Sequence, residues 1–300
     1  MKKKTYLFAL MAMALTLGSC SDNENGIGGE TSRYITVSTS IGNMTRVATD
    51  EKGGQTFEEG DEISVYAWTG DATVAPETRE RVVNNAINKL TNGSWISNPQ
   101  MLWKNNRDKH YFIGVYPISA ISDLSAGEYT FDETKQVESD LLVAVNKDGL
   151  SYNVDEQQPV PLTFTHVMAK LAVNLTYKNQ WGGIPTVEKV VVGNAAKEAT
   201  INYLTKVVTP STTAKEDFSL PEITENTKYV SVIIPQEEVT QLTIVIGGKN
   251  FVYDNGTPFK LESGKITTVN LEVGRDEIKL GDVKITNWED GSTFSGEALN

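Results

Sequence analysis

The stretch LTFTHVMAKLAVNL, residues 162–175, changes the side of the chain on which its apolar residues fall. The first two, Leu162 and Phe164, occupy even positions. The later ones occupy odd positions, and these are Val167, Ala169, Leu171, Val173 and Leu175. Because successive side chains of a β-strand point to opposite faces, one regular strand cannot bury both sets in the same core. We therefore predict a bulge or a change of sheet near Thr165 and His166.

Short strand patterns flank this stretch on both sides. Ile35, Val37 and Ile41 alternate with polar residues, as in a half-buried strand. Similar apolar runs recur at 63–68, 111–116, 141–145, 190–192, 229–234, 242–246, 251–253 and 269–273. Turn-forming pairs punctuate the runs, at Asn92-Gly93, Asp148-Gly149, Gly182-Gly183, Gly247-Gly248 and Asn255-Gly256. This pattern predicts an all-β protein made of β-sandwiches.

The change of face also marks a predicted domain boundary. A proline-bearing stretch with Pro159 and Pro161 comes just before it and suits a linker. The chain beyond residue 20 is long enough for two domains of ordinary size. We therefore expect an N-terminal sandwich over residues 33–160 and a C-terminal sandwich over residues 161–300.

The first residues have the layout of a lipoprotein signal peptide. Three lysines at positions 2–4 precede an apolar segment of about 13 residues, which is too short to span a bilayer as a helix. The segment ends in Leu17-Gly18-Ser19-Cys20, and Cys20 is the only cysteine of the chain. We expect residues 1–19 to be removed, Cys20 to carry the lipid, and residues 20–32 to form a flexible tether. The alternative is an ordinary signal peptide with a chance cysteine near its cleavage site.

The net charge argues against a nucleic-acid partner, and the cysteine content excludes stabilisation by a disulfide within the chain. Loss of the three signal lysines would move the formal charge from −12 to −15, which gives the chain little affinity for nucleic acid. A single cysteine cannot form a disulfide within the chain. Buried apolar area must therefore supply the stability.

Residues that could support catalysis or hold a cofactor are sparse. The two histidines, His110 and His166, lie inside strand patterns without the spacing of a zinc site, and His166 fits a structural role at the suspected bulge. No nucleotide-binding, phosphate-binding or hydrolase motif occurs. The acidic run 58–62 favours a solvated turn over a calcium site. We therefore expect no enzyme, no metal and no cofactor.

Five runs of sequence occur in order: FEEGDEISVYAW at 57–68, HYFIGVYP at 110–117, SDLLVA at 139–144, LTFTHVMAKLAVNL at 162–175 and ITNWEDG at 285–291. As an ordered set, they resemble the fimbrillin (Mfa-like) lipoproteins of Bacteroidetes. Acidic residues soon after Cys20 also resemble the surface-export signal of lipoproteins from that phylum. The resemblance implies a type V pilin: two tandem transthyretin-like β-sandwiches, exported to the outer membrane and assembled into adhesive surface fimbriae.

The resemblance further implies processing and strand exchange. In type V pilins an arginine-specific protease removes the N-terminal strand, and a strand of another subunit fills the vacated groove. The matching parts here are the strand that holds Ile35, Val37 and Ile41, and the Arg46-Val47 bond in the polar stretch beyond it, which should be exposed. The implied partners are other pilin subunits, this protease and, before processing, the outer membrane. The alternative is a permanent strand followed by an ordinary loop arginine.

The C-terminal segment offers a candidate donor strand. Its apolar residues are Ile278, Leu280, Val283 and Ile285, and their parity changes at Gly281, where glycine permits a bulge. An ordinary final strand of the second sandwich explains these residues equally well. The sequence leaves open whether the subunit is a stalk, a tip or an anchor.

A function of a different class is that of a permanently anchored surface lipoprotein which binds glycans or host ligands. Exposed tryptophans, with Trp95, Trp103 and Trp181 as the candidates, would then stack on sugar rings.

Overall fold

The computed structural model describes residues 33–42, 56–153 and 158–288, which all fall within one compact unit that begins at Arg33. The described residues form strands and two short 3₁₀ turns, Thr78–Glu80 and Asn179–Trp181, so the predicted all-β class is confirmed. The strands are β1 (Val37–Ile41), β2 (Glu62–Thr69), β3 (Arg81–Thr91), β4 (Ser94–Asn98), β5 (His110–Tyr116), β6 (Gly127–Thr130), β7 (Leu142–Leu150), β8 (Val160–His166), β9 (Ala169–Tyr177), β10 (Val187–Ala196), β11 (Glu198–Asn202), β12 (Val207–Pro210), β13 (Lys215–Leu220), β14 (Glu222–Thr224), β15 (Lys228–Ile233), β16 (Gln236–Ile246), β17 (Lys249–Leu261), β18 (Lys265–Val273) and β19 (Ile278–Asn287).

The first half of the chain forms a seven-stranded sheet in the order β1-β8-β7-β5-β2-β3-β4. Most neighbours in it are antiparallel, but β1 and β8 run parallel. The strand β2 lies inside the sheet and is buried on both faces: Ile63, Val65 and Ala67 point to one side, Tyr66 and Trp68 to the other.

Three further sheets complete the fold. One has the order β13-β10-β16-β17, and another has the order β14-β15-β9-β18-β19. The third has the order β12-β11-β6, so β6 from the first half pairs with β11 from the second. Long-range pairing therefore links strands from both sides of residue 160.

Buried apolar residues form two clusters. The smaller one, here called the N-terminal core, lies on one face of the seven-stranded sheet and includes Ile35, Val37, Ile63, Leu162 and Phe164. The larger one combines residues from the other face of that sheet with residues of the C-terminal sheets, among them Tyr66, Trp68, Leu171, Val190 and Val269.

The chain changes sheet where the sequence predicted it. β8 ends at His166 in the seven-stranded sheet, and β9 begins at Ala169 in the five-stranded sheet. Val167 and Met168 join the two strands, and both are buried. The change of sheet near Thr165 and His166 is thus confirmed, while the division into two tandem domains at residue 160 stays a prediction.

Two of the predicted turns are wrong. Asn92-Gly93 and Gly247-Gly248 do form two-residue hairpins, with positive φ at every position. Gly149 and Gly256 instead lie inside β7 and β17, where the ladder registers shift. The left-handed glycine conformation, φ +72° and +64°, serves a bulge there instead of a reversal of the chain.

Candidate functional site

The leading segment, residues 33–42, lies along the outer edge of the seven-stranded sheet. Its strand β1 has β8 as its ladder partner, with Val37 opposite Val160 and Ile41 opposite Phe164. Before β1, the N–H of Ile35 donates to the carbonyl of Met101 (2.9 Å), so the segment also pairs with residues 101–103. The segment is held between β8 on one side and residues 101–103 on the other.

Apolar side chains of the leading segment enter the N-terminal core. Ile35 is 1% exposed and Val37 is 6% exposed, while Ile41 is half-buried against the same cluster. Full burial of one such side chain is worth roughly 1.5–3 kcal/mol, so Ile35 and Val37 together contribute about 3–6 kcal/mol. A strand that replaced the segment would need comparable apolar side chains.

The strand next to β1 in the sheet, β8, depends on β1 for part of its pairing. β7 pairs with β8 only from Phe164 to His166, whereas β1 pairs with it from Val160 to Phe164. Pro161 fits this arrangement, because proline has no N–H to give to a second neighbour. Among the described residues, the first half of β8 therefore has β1 as its sole ladder partner.

The floor under the leading segment is here called the leading-strand groove and is lined by Met101, Val160, Leu162 and Phe164, all buried. Polar contacts hold β1 on both faces of the sheet: on the core side the indole N–H of Trp95 donates to Thr39 Oγ1 (3.0 Å), and on the opposite side Ser40 Oγ donates to Thr163 Oγ1 (3.2 Å). Sequence reasoning missed residues 101–103 as part of this site. The short apolar run Met101-Leu102-Trp103 was the available signal.

The lipid and processing residues, Cys20, Arg46 and Val47, lie outside the described residues. The two ends that flank residues 43–55 are described, and they meet at one place. Gly42 donates its N–H to the carbonyl of Phe164 (2.8 Å), and the ring of Phe57 lies 5.1 Å from the ring of Phe164. The connection that contains Arg46 therefore leaves and rejoins the described structure at the same end of the leading-strand groove.

The candidate donor residues lie on β19, the edge strand of the five-stranded sheet. All four face the same side as the buried residues of β18, because Leu280 pairs with Leu271 and Val283 with Val269. The register shifts beside Gly281, so the predicted bulge is confirmed. Ile278 and Leu280 are half-buried, whereas Val283 and Ile285 are 39% and 38% exposed.

Both histidines make structural contacts. Nε2 of His110 accepts the N–H of Lys104 (3.1 Å), and its Nδ1 lies 3.0 Å from the carbonyl of Asp108. Burial lowers the pKa of His110, so its neutral form is favoured. His166 ends β8, where its Nδ1 lies 2.8 Å from a carboxylate oxygen of Asp140.

The tryptophans proposed for sugar binding are used within the fold. Trp103 is buried, which contradicts the expectation that it is exposed. Trp181 is half-buried and donates its indole N–H to the carbonyl of Val273 (3.0 Å), while Trp95 donates its indole N–H to the hydroxyl oxygen of Thr39. The indole N–H groups of Trp95 and Trp181 are therefore already engaged by the protein.

The acidic run makes separate contacts with protein groups. The Asp61 carboxylate accepts the N–H of Glu58 (2.7 Å), Glu59 accepts the N–H of Asn92 (2.7 Å), and Glu62 pairs with Lys89. Within residues 33–42, 56–153 and 158–288, no three His, Cys, Asp or Glu side chains are grouped as a metal ion requires. The same ranges contain no helix long and apolar enough to cross a membrane.

An all-β chain of several packed sheets, with its leading segment as an edge strand against an apolar core, is a β-sandwich protein. The fimbrillin-like family model matches residues 45–288, which is most of the chain. The chain therefore belongs to the fimbrillin-like family, a family of structural fimbrial subunits and not of enzymes.

A curated relative and solved structures are similar to this chain over most of its length. A candidate fimbrium subunit of Bacteroides uniformis, Fim1C, is 25% identical over 316 aligned positions that cover 97% of each chain. A candidate cell adhesion protein from Bacteroides ovatus has the same fold, with a TM-score of 0.65 at 17% identity over 86% of this chain and 98% of its own. A candidate cell adhesion protein from Bacteroides uniformis has a TM-score of 0.63 at 18% identity, over 85% of this chain and 99% of its own.

Proposed function

We propose that this protein is a stalk or tip subunit of cell-surface fimbriae, exported as a lipoprotein, processed after Arg46 and assembled by strand exchange between subunits. Membership of the fimbrillin-like family supports the fimbrial role and a contribution to adhesion. The relative named as a candidate fimbrium subunit, which is similar over 97% of this chain, supports the same role. The observation that carries the proposal is the leading segment, an edge strand that buries Ile35 and Val37 and leads directly to Arg46.

Export comes first in this scheme. After removal of residues 1–19, an acylated Cys20 holds the precursor in the outer membrane, since two or more acyl chains anchor a protein stably. Residues 20–32 separate the anchor from the folded unit. Cleavage between Arg46 and Val47 cuts the covalent link between the anchor and the rest of the chain, which then starts at Val47.

Assembly follows from the loss of the leading segment. Without it, the first half of β8 loses its ladder partner and the leading-strand groove is exposed to water. Unpaired strand edges and apolar grooves both favour the addition of a strand. The strand that enters the groove is β19 of a second copy, whose apolar side carries Ile278, Leu280, Val283 and Ile285.

The test is proteolysis of the chain from residue 20 onward, with Cys20→Ser so that the protein stays unlipidated. An arginine-specific protease is expected to cut after Arg46 and to produce a ladder of oligomers on gels run without boiling. Arg46→Lys should abolish both results. Arg79→Lys is the matched control, since its side chain is 80% exposed and lies far from β1 in sequence; this variant should behave like the unsubstituted protein.

Two outcomes reject the proposal, and each rejects a different part. Complete cleavage after Arg46 without any ladder excludes strand exchange. An Arg46 bond that stays intact while other arginines are cut excludes Arg46 as the processing site.

A further inference from the structure

Trp288 stands out at the end of an otherwise exposed segment. No residue from Arg275 to Asn287 is buried, although Ile278, Leu280 and Thr286 are half-buried. Trp288, the next residue, is only 7% exposed. Besides the ladder with β18, this ring ties the end of β19 to its own subunit.

Two side chains of the change-of-sheet region enclose the ring. Trp288 stacks on His166, with the ring centroids 4.1 Å apart and the planes at 9°. The ammonium of Lys170 lies 4.1 Å from the centroid of the Trp288 ring, within the range of a favourable cation–π contact. The carboxylate of Asp140 orients His166 from its other side (2.8 Å), and the backbone N–H of Trp288 donates to the carbonyl of Gly264 (3.1 Å).

The contact uses the faces of the indole and not its N–H. Among the described residues, the buried Nε1 of Trp288 has no hydrogen-bond acceptor. The enclosing side chains thus favour an aromatic ring at this position but provide no hydrogen bond to the indole nitrogen. A phenylalanine would keep the stacking and the cation–π contact, whereas an alanine would lose both.

These groups lie between the two strands that the proposed assembly would separate from the subunit, the leading segment and β19. His166 is the last residue of β8, whose first half pairs with β1. Lys170 lies in β9, which pairs with β18, the neighbour of β19. The ring of Trp288 therefore rests on the same strand that the leading segment covers.

We propose that Trp288 is a latch, with His166 and Lys170 as its catch, that keeps β19 on its own subunit and limits its release as a donor strand. The inference rests on the proposed function, because only an exchanged β19 needs to leave. Opening of the latch frees the end of β19, which is attached to its subunit elsewhere by an edge ladder with half-exposed apolar side chains.

The first measurement is hydrogen exchange on the uncut chain, which tests the latch without any assembly. In Trp288→Ala the amides of residues 278–287 are expected to exchange about tenfold faster or more, while those of β2 and β5 stay protected and report an intact core. Trp288→Phe should stay close to the unsubstituted protein. His166→Ala tests the same contact from the catch side and should also accelerate exchange. Val207→Ala truncates an exposed side chain on a different edge strand and is the matched control.

The second measurement is the rate of ladder formation after cleavage at Arg46. Trp288→Ala should assemble faster than the unsubstituted protein, and Trp288→Phe at nearly the same rate. Unchanged exchange of β19 in Trp288→Ala overturns the latch, and faster exchange with an unchanged assembly rate overturns its control of donor release. If no variant forms a ladder, the proposed function fails, and so does control of donor release; exchange then decides only whether Trp288 holds β19.

Discussion

A few residues of unusual size or polarity set the shape of the leading-strand groove. Gly114 of β5 faces the side chains of β8, since an added Cβ would stand 2.7 Å from a ring atom of Phe164 and 3.1 Å from a methyl of Leu162. A glycine is therefore needed for Phe164 and Leu162 to form the floor. Ile35 and Val37 then fill the space above that floor and exclude water from it.

His110 stabilises the neighbouring residues 101–104 in one protonation state only. Its neutral ring accepts the N–H of Lys104 and faces the carbonyl of Asp108, and its centroid lies 5.0 Å from that of Trp103 with the two rings nearly perpendicular. Protonation would remove the acceptor at Nε2 and place a charge in an apolar surrounding. Burial accordingly lowers the pKa of His110 below that of an exposed histidine.

This shift predicts a loss of stability in mild acid. Between the lowered folded pKa and the unfolded value near 6.5, the unfolded chain binds more protons, so the free energy of unfolding falls as the pH drops through this window. Urea unfolding at pH 7.5 and pH 5.5 should show the fall. His110→Gln should be less stable at pH 7.5 and lose less between the two pH values. An equal fall in the variant would assign the effect to other groups.

At the scale of elements, local sequence patterns predicted the strands but not all their connections. The alternating and apolar runs correspond to strands of the structure. The turn pairs at Gly149 and Gly256 were misassigned, because a left-handed glycine serves a turn and a bulge alike. The parallel partnership of β1 with β8 joins residues far apart in sequence, and no local pattern specifies such a pair.

The same limit applies to the candidate site. Burial of Ile35 and Val37 was predictable, because alternation identifies the inward face of a strand. The role of residues 101–103 was not, since it depends on a loop returning to the sheet edge. Trp288 could be recognised as apolar, but its contact with His166 depends on where β8 and β19 end.

The dependence of β8 on β1 predicts a local change on processing. After cleavage and removal of the leading segment, the amides of residues 160, 162 and 164 should exchange faster with solvent, because alternate N–H groups of β8 point to β1, as that of Val160 does to the carbonyl of Thr36. The amides of β2 and β5, inside the same sheet, should keep their protection. Assembly into oligomers should restore protection to β8. If protection of β8 is unchanged in the isolated cleaved subunit, the leading segment does not cover it in the way the structure indicates.

For the whole molecule, assembly has to overcome repulsion between acidic copies. The full chain carries a formal charge of −12, so subunits in solution repel each other over the Debye length, about 8 Å at physiological ionic strength. The attraction must come from short-range burial and from ladder hydrogen bonds. An exchanged apolar strand supplies both, whereas contacts between charged surfaces would not.

The exposed half of β19 provides the sharpest test of this scheme. Val283 and Ile285 are more than a third exposed in the subunit, so the double variant Val283→Asp, Ile285→Asp should lower the free energy of unfolding only by the partial burial that it removes, about 2–4 kcal/mol. In a neighbour's groove the same side chains would have to be buried, where unpaired carboxylates are strongly unfavourable. Cleavage after Arg46 should then proceed normally while the ladder disappears. Lys284→Asp changes a charge on the opposite face of the same strand and should retain the ladder, at most slowed by the added negative charge. A double variant that still forms a full ladder would show that β19 is not the donor, because a strand with two aspartates on its inward side cannot fill an apolar groove.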